Sequence, residues 1–269
     1  MTDSPNPKLA NDEALWIQLS TAFSIERLKP YLKAAQFDKQ RALKLYELNT
    51  TLSQELYPLL SVLEIVLRNR INNVMVKYFG DLWFERYEGR WFNGESLPIE
   101  PKVNHQWDEV QKAKKDLQGA GKKITADRLT AELSFGFWTG MLGDKYERIL
   151  WHKYADEVFQ DKPKNLKVND RIKGNENVLR NKFYFELVRW DLGLSRLLRN
   201  RVSHHEPILP IIYNKSLRWE YERTKWLLSW LSQDALEWLE TCDCFGEVLE
   251  RIDKTFRAPA VMVKPLNVP

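Results

Sequence analysis

The amino-acid sequence predicts an all-α fold. Apolar residues recur at spacings of three and four along most of the chain, which is the period of an amphipathic helix. With 11 glycines and 12 prolines in 269 residues, the composition favours long helices over a turn-rich β architecture. No convincing run of alternating polar and apolar residues predicts a strand.

The periodic segments predict one all-α domain over residues 12–257, which is long enough to bury a substantial core. Residues 1–11 are polar and hold two prolines, while residues 258–269 hold three prolines and show no helical period. Both ends are therefore expected to be flexible.

The first predicted helices cover residues 12–23 and 24–35, and the second of them begins at Ser24 as N-cap. A long apolar period then runs over residues 38–80 and ends on a glycine, as helices commonly do. Pro58 removes one backbone donor within it. We therefore expect either a helix kinked at Pro58 or two separate helices.

Residues 80–104 are rich in aromatic residues, Gly and Pro, and predict a loop packed by its own side chains. Helices are expected again over about 105–118, over 125–142 with Thr125 as N-cap, and over 144–158.

Helical periodicity returns over residues 176–204. Pro207 disfavours helical geometry at Glu206, so this helix is expected to end at or just beyond the histidine pair that precedes them. The last two helices are predicted over about 216–240 and 245–257.

Several classes of protein are disfavoured by composition. No apolar run approaches the roughly 18 residues that a membrane span needs, and the first residues lack the pattern of a secretory signal. Cys242 and Cys244 are too few for a disulfide framework, and His105 and His152 are isolated. We therefore expect a cytoplasmic protein without membrane association, bound metal or other cofactor.

The net charge of +4 and the pI of about 8.8 permit binding to nucleic acid without demanding it. Eleven tryptophans are many for this length. Trp219, Trp226 and Trp230 are seven and four residues apart, so they share a helix face. This spacing favours a place in the core over stacking against nucleobases.

Residues 197–208, "LLRNRVSHHEPI", concentrate basic and titratable side chains at a predicted helix end. Asn200 and His204 are four residues apart and share a face, on which Arg196 also lies. Arg199 lies beside that face, within reach of the same patch.

Arg201 and His205 form a second pair at a spacing of four. Arginine offers a fork of donors to a phosphate, and histidine transfers protons near neutral pH. This combination suits cleavage of RNA without a metal, in which the 2′-hydroxyl attacks the adjacent phosphorus. The dipole of a helix alone favours basic residues at its C-terminus. A purely structural role for these residues is therefore equally open.

Two features connect this segment to the earlier part of the chain. Glu64 lies in the apolar run "LLSVLEIVL", where a charge needs a partner, and Arg68 or Arg199 is expected to provide it. The tetrapeptide "LRNR" occurs at residues 67–70 and 198–201, which predicts two arginine-bearing helices converging on one polar pocket.

The segment "RNRVSHHEPI" resembles the Abi-like proteins, the AbiD/AbiF-type abortive-infection family of the HEPN superfamily. The superfamily motif is an arginine, commonly followed by a polar residue, and then a histidine after four to six intervening positions. Arg199, Asn200 and His204 match it, and His205 fits as well, so His204 is preferred rather than proved.

The resemblance also includes "LSVLEIVLRNRINNVMVKYFG", with the polar residues Glu64, Arg68 and Asn69, and "LTAELSFGFWTGML". Together these segments span roughly residues 38–240. The resemblance implies a HEPN-like helical bundle with additional helices, often a homodimer in which the two motifs face each other.

The resemblance further implies a metal-independent endoribonuclease toxin that leaves a 2′,3′-cyclic phosphate and a 5′-hydroxyl. Its setting would be phage defence or a toxin–antitoxin pair, with a protein or RNA antitoxin as a further partner. Some HEPN proteins only bind RNA or act as regulatory modules, which is the alternative. On this basis His204 would be the acid or base, Arg199 the phosphate clamp, and Asn200 would orient one of them. The supporting or RNA-binding residues would be Glu64, Arg68, Asn69, Arg196, Arg201 and His205.

Overall fold

The computed structural model describes residues 7–81, 83–84, 105–162, 176–208 and 216–256, and all regular secondary structure in these ranges is helical. The first helices are α1 (Pro7–Phe23), α2 (Ile25–Ala34), α3 (Lys39–Phe79), α4 (His105–Gly119), α5 (Ala126–Glu132) and α6 (Phe135–Gly140). Then follow α7 (Asp144–Tyr146), a π-helical turn (Glu147–Trp151), α8 (His152–Val158), α9 (Glu176–Ser203), α10 (Ser216–Leu231), α11 (Gln233–Glu240) and α12 (Phe245–Phe256). The predicted all-α class is confirmed for these residues.

Both predicted N-caps are present. The Ser24 side chain accepts a hydrogen bond from the backbone N–H of Arg27, and the Thr125 side chain accepts one from the backbone N–H of Arg128. The expected glycine also ends α3: Gly80 has a φ of 84°, which L-amino acids other than glycine rarely adopt. Capping chemistry therefore defines these helix ends.

Of the two alternatives for residues 38–80, the structure has one helix that continues through Pro58. A proline within a helix leaves the carbonyl four residues earlier without its donor. That carbonyl belongs to Gln54, and Gln54 and Pro58 both lie on the exposed side of α3. Water can satisfy the group there, so the helix is not divided.

Two of the predicted helices are divided, each at a serine. The segment 125–142 forms α5 and α6, because the Ser134 hydroxyl caps α6 by accepting the N–H three residues further on, at 3.1 Å. The segment 216–240 forms α10 and α11, because Ser232 caps α11 in the same way at 3.2 Å. In both places the side chain replaces a helical backbone bond, so the predicted single helices were wrong.

The terminal segments and long connections are only partly described. Helix α1 includes residues 7–11, which the sequence analysis assigned to the flexible N-terminus. The predicted tail, residues 258–269, lies outside the described residues. Most of the predicted 80–104 loop lies outside them as well, but Trp83 and Phe84 are described and are buried.

Helix α3 lies at the centre of the packing, in contact with helices from both ends of the chain, among them α2, α8, α9, α10 and α12. Its inner face is a row of fully buried leucines that includes Leu56, Leu63 and Leu67. Within the described residues, α1, α2 and the first turns of α3 enclose a separate, smaller apolar cluster around Trp16 and Tyr31. None of the described helices combines the length and hydropathy that a membrane span requires.

A buried polar seam joins α9 to α10. Asp191 is buried and pairs with Arg223, whose guanidinium lies 4.1 Å from the ring centroid of Trp226. One turn further along α9, the Ser195 hydroxyl lies 3.0 Å from the Thr224 hydroxyl. These contacts fix the rotation of α9 about its own axis. They therefore decide which face its C-terminal turns present to α3.

The prediction that three tryptophans of α10 lie in the core holds only in part. Trp230 is buried, and Trp226 is partly buried against the core. Trp219 is half exposed, with Arg223 near its ring, so its assignment to the core was wrong.

Candidate functional site

The histidine pair lies at the C-terminal cap of α9, which ends at Ser203. The backbone N–H of His205 donates to the carbonyl of Val202 at 3.2 Å, and that of Glu206 donates to the carbonyl of Arg201 at 2.8 Å. This pair of bonds is the Schellman motif, whose left-handed position is usually glycine. His205 occupies that position with a φ of 56°. Its backbone therefore has a structural role, whatever its side chain does.

The residues that follow the cap are held by side chains of α2 and α3. Arg27 donates to the carbonyl of His205 at 2.7 Å. The buried Asn49 side chain accepts from the N–H of Ile208 at 2.6 Å and donates to the carbonyl of Glu206 at 3.5 Å. Because both ends of the amide are used, Asn49 fixes the path of the chain leaving the cap.

The three arginines near the end of α9 point in different directions. Arg199 faces α3, where its Nε donates to Oε2 of Glu64 at 3.1 Å. Arg201 donates to the carbonyl of Pro207 at 3.2 Å. Arg196 lines a separate groove of 890 Å³ beside α4 and α6. A helix turns about 100° per residue, so side chains at positions 196, 199 and 201 cannot all lie on one face. Arg199 and Arg201 lie about 160° apart around α9, and Arg196, one turn before Arg199, lines a different cavity from it.

Helices α3 and α9 enclose a cleft of 260 Å³, here called the α3–α9 cleft. Arg68 and Arg199 both line it, as the repeated "LRNR" sequence predicts. The expected pairing of Glu64 with an arginine is present, and the partner is Arg199. The polar residues that line the cleft are Tyr57, Ser61, Glu64, Arg68, Arg199 and Ser203.

The electrostatic balance of the α3–α9 cleft favours an anion. Its described lining holds two guanidinium groups and one carboxylate, which leaves one positive charge. The Nε of Arg68 is buried and has no hydrogen-bond partner among the described residues. Burying an N–H donor without an acceptor costs free energy. An oxyanion in the cleft could accept from this N–H, which would remove that cost.

His204 lies on a different face of α9 from Arg199. The two residues are five positions apart, so their side chains leave the helix axis in directions about 140° apart. His204 is exposed, and it follows Trp190 and Leu197 at intervals of seven residues on one stripe. Trp190 is 66% exposed and Leu197 is 57% exposed. Asn200 is half-buried at the edge of this stripe, four residues before His204. Within one chain, Arg199 and His204 therefore do not meet in the α3–α9 cleft.

Asn69 does not line the α3–α9 cleft but a second pocket of 310 Å³ between α3 and α5, here called the α3–α5 pocket. Arg68 lines both, so it forms a wall common to the two. The polar residues of this pocket are Arg68, Asn69, Asn72, Asn73, Asp127 and Thr130.

Glu64, Arg68, Arg199 and Asn69 were predicted from the sequence, but most of the other polar residues that line the two cavities were not. Tyr57, Ser61, Glu64 and Arg68 are spaced by four, three and four residues, which is one face of a helix and a detectable signal. The α3–α5 pocket has its own signal in "NRINN", which places the amides of Asn69 and of the two later asparagines on one side of α3.

Side chains that often bind metals are dispersed in the described part of the chain. His105 pairs with Glu109 at 2.9 Å, and His152 pairs with Glu147 at 3.2 Å. Across the described ranges, no group of three or more His, Cys, Asp or Glu side chains is arranged to hold a metal ion.

In comparisons with known proteins, no family model, no curated protein and no solved structure matches this chain.

Proposed function

We propose that this protein is a metal-independent endoribonuclease of the Abi-like, HEPN type, acting as a cytoplasmic toxin in phage defence or in a toxin–antitoxin pair. The observation that carries the proposal is the convergence of Arg68 and Arg199 on one cleft, with Glu64 holding the second guanidinium in place. A protein or RNA antitoxin would neutralise the toxin by covering this cleft.

The α3–α9 cleft has the chemistry of a phosphate site. The Nε of Arg199 is used by Glu64, so its two Nη groups are the donors available to a ligand. The Nε of Arg68 adds a desolvated donor, and the hydroxyls of Ser61 and Ser203 lie in the same lining. A phosphodiester offers two charged oxygens to such a set of donors.

Cleavage would proceed by transesterification. The 2′-oxygen forms a bond to the adjacent phosphorus, its proton passes to a base, and the bond from phosphorus to the 5′-oxygen breaks. An acid protonates the departing oxygen, which leaves a 2′,3′-cyclic phosphate and a 5′-hydroxyl. His204 is our candidate for one of these proton transfers. Arg199 and Arg68 would stabilise the negative charge that grows on the phosphoryl oxygens.

A homodimer would supply the second proton-transfer group. Trp190 and Leu197 are large apolar side chains exposed on the stripe that also carries His204. Exposed apolar patches of this kind are typical of protein–protein contacts. In a two-fold dimer in which the stripe of each chain packs beside the α3–α9 cleft of the other, both side chains would be buried and each cleft would receive His204 of the partner subunit.

The alternative is an RNA-binding or regulatory module that does not cleave. One observation favours it: His204 lies outside the α3–α9 cleft and about 140° around α9 from Arg199. If no second copy contributes its histidine, the cleft would hold a phosphate and catalyse nothing.

Binding and cleavage measured separately distinguish the two functions. Binding is measured with 2′-O-methyl RNA, which cannot undergo internal attack, and cleavage is measured with unmodified RNA of the same sequence. The ribonuclease proposal expects Arg199→Ala to weaken binding and His204→Ala to abolish cleavage while binding is retained. Wild-type protein that binds RNA without cleaving it would support the alternative, and absence of both activities would overturn both functions.

A further inference from the structure

The α3–α5 pocket is lined by hydrogen-bonding groups that the protein itself leaves largely unused. Thr130 is only 5% exposed, and its hydroxyl is buried without a hydrogen-bond partner among the described residues. Arg68 forms the wall that this pocket shares with the α3–α9 cleft. Buried polar groups in proteins are nearly always paired, so an unpaired buried hydroxyl on a residue that lines a pocket indicates a ligand that pairs it.

The remaining lining narrows the chemistry of that ligand. The side chains of Asn69, Asn72 and Asn73 each carry two N–H donors and one carbonyl acceptor. Asp127 adds a carboxylate, which would repel a second anion. A neutral ligand whose flat edge carries both donors and acceptors complements this set better than a second anion would.

One asparagine of the pocket is already oriented by the fold. Oδ1 of Asn72 accepts from Nε1 of Trp83 at 3.0 Å, and both side chains are buried. Because the carbonyl end is engaged, the N–H₂ end of Asn72 is the part left for a ligand. A donor fixed in this way pairs only with a ligand edge that presents an acceptor. An amide that rotates freely could instead pair with a donor or an acceptor.

We propose that the α3–α5 pocket binds a nucleobase of the RNA whose phosphate occupies the α3–α9 cleft, and so makes the protein selective for one base beside the phosphate. The inference rests on the proposed function and extends it to substrate choice. The volume of 310 Å³ is at the lower end for ligand sites, which suits a single base. Asn, Asp, Thr and Arg are also the side chains that read base edges.

The test uses two variants that should fold normally. Thr130→Val keeps the shape and removes a hydroxyl that has no protein partner in the described structure. Asp127→Asn changes an exposed carboxylate, and Asp116→Asn on α4 is its matched control outside the pocket. Binding is measured for four 2′-O-methyl RNA tetramers that differ at one position, and for the four free nucleosides by ligand-observed NMR.

We expect one base to be preferred by about tenfold, the discrimination of a single good hydrogen-bonded base contact. Thr130→Val and Asp127→Asn should each reduce the preference to about twofold or less, whereas Asp116→Asn should leave it unchanged. Equal binding of all four tetramers, or a preference that survives both variants, would overturn the inference.

The nucleoside measurement separates this inference from the proposed function. A nucleoside has no phosphate, so its selective binding should persist in Arg199→Ala and disappear in Asp127→Asn. That result would support the pocket even if the protein cleaved no RNA. Conversely, tetramer binding that depends on Arg199 but is equal for all bases would support the phosphate cleft and overturn the base pocket.

Discussion

The Nε of Arg199 donates to Oε2 of Glu64 at 3.1 Å, which connects α9 to α3 across 135 positions of the chain. The bond fixes one edge of the guanidinium, and because Arg199 also lines the α3–α9 cleft, its other donors are available to a ligand there. Arg199 is therefore presented to a ligand in a defined orientation.

The first prediction concerns the geometry of that pair. Arg199→Lys keeps the positive charge but cannot bond Glu64 and a phosphate with one rigid fork. Glu64→Gln keeps the shape of the side chain at position 64 but removes the negative charge that pairs with Arg199. We expect each variant to lower the cleavage rate on the order of 10²-fold, because a phosphate clamp displaced by about 1 Å loses that much.

The same two variants should change the free energy of unfolding by less than about 1 kcal/mol, since the pair is partly open to solvent. Urea denaturation provides this control. Activity close to wild type in both variants would show that the orientation of Arg199 has no role in the reaction.

The second prediction separates the two histidines. His205 occupies a left-handed position that costs an L-residue about 1 kcal/mol, so His205→Gly should raise the free energy of unfolding by about that amount. If His204 transfers the proton, His205→Gly should cleave RNA normally and His204→Ala should not. The opposite pattern of activities would assign the proton transfer to His205.

The third prediction concerns assembly. Trp190→Glu places a charge in the middle of the exposed stripe and should convert a homodimer to a monomer, with loss of cleavage. Trp238→Glu, at a tryptophan on α11 that is also well exposed, is the matched control and should stay dimeric. Sedimentation velocity at several protein concentrations provides the measurement. A wild-type monomer that cleaves RNA at full rate would contradict the composite site.

The fourth prediction concerns the buried seam that sets the rotation of α9. Burial raises the pKa of Asp191, and the Arg223 guanidinium offsets this only in part. A carboxyl with a higher pKa in the folded state contributes most to stability below its unfolded pKa, and this contribution falls as the pH rises through the folded pKa. Asp191→Asn removes that dependence.

The stability difference between wild type and Asp191→Asn should therefore shift against the wild type over the pH range that begins at about 3.9, the ordinary pKa of an aspartate, and extends upwards. Urea denaturation of both proteins across this range measures it, and effects of other titrating groups cancel in the difference. A difference that grows in favour of the wild type as the pH rises would mean that Arg223 outweighs the burial.

Much of the helical framework could be predicted because local chemistry determines it. Ser24 and Thr125 are caps whose side-chain bonds are made within a single turn. The breaks at Ser134 and Ser232 use the same chemistry, but the apolar period continues through both serines. Periodicity alone therefore favoured one long helix in each place, and only packing shows where the chain turns.

The site could be predicted only in part, because it depends on how α9 is rotated. A charge on the apolar face of α3 needs a partner, so the pairing of Glu64 with an arginine followed from the sequence. Which of the clustered arginines faces α3 is decided by the Asp191–Arg223 seam, a contact between distant segments. The α3–α5 pocket likewise exists only because α5 packs against α3.

We propose that RNA bound in the α3–α9 cleft is cleaved without a metal, with the 2′-hydroxyl of the RNA as the nucleophile. The most direct measurement incubates purified protein with a defined RNA in excess EDTA and identifies the new ends by mass spectrometry. We predict 2′,3′-cyclic phosphate and 5′-hydroxyl ends, no cleavage of the matching 2′-O-methyl RNA, and loss of the products in Arg199→Ala. Ends with a 3′-hydroxyl and a 5′-phosphate, or cleavage that requires added magnesium or manganese, would contradict it.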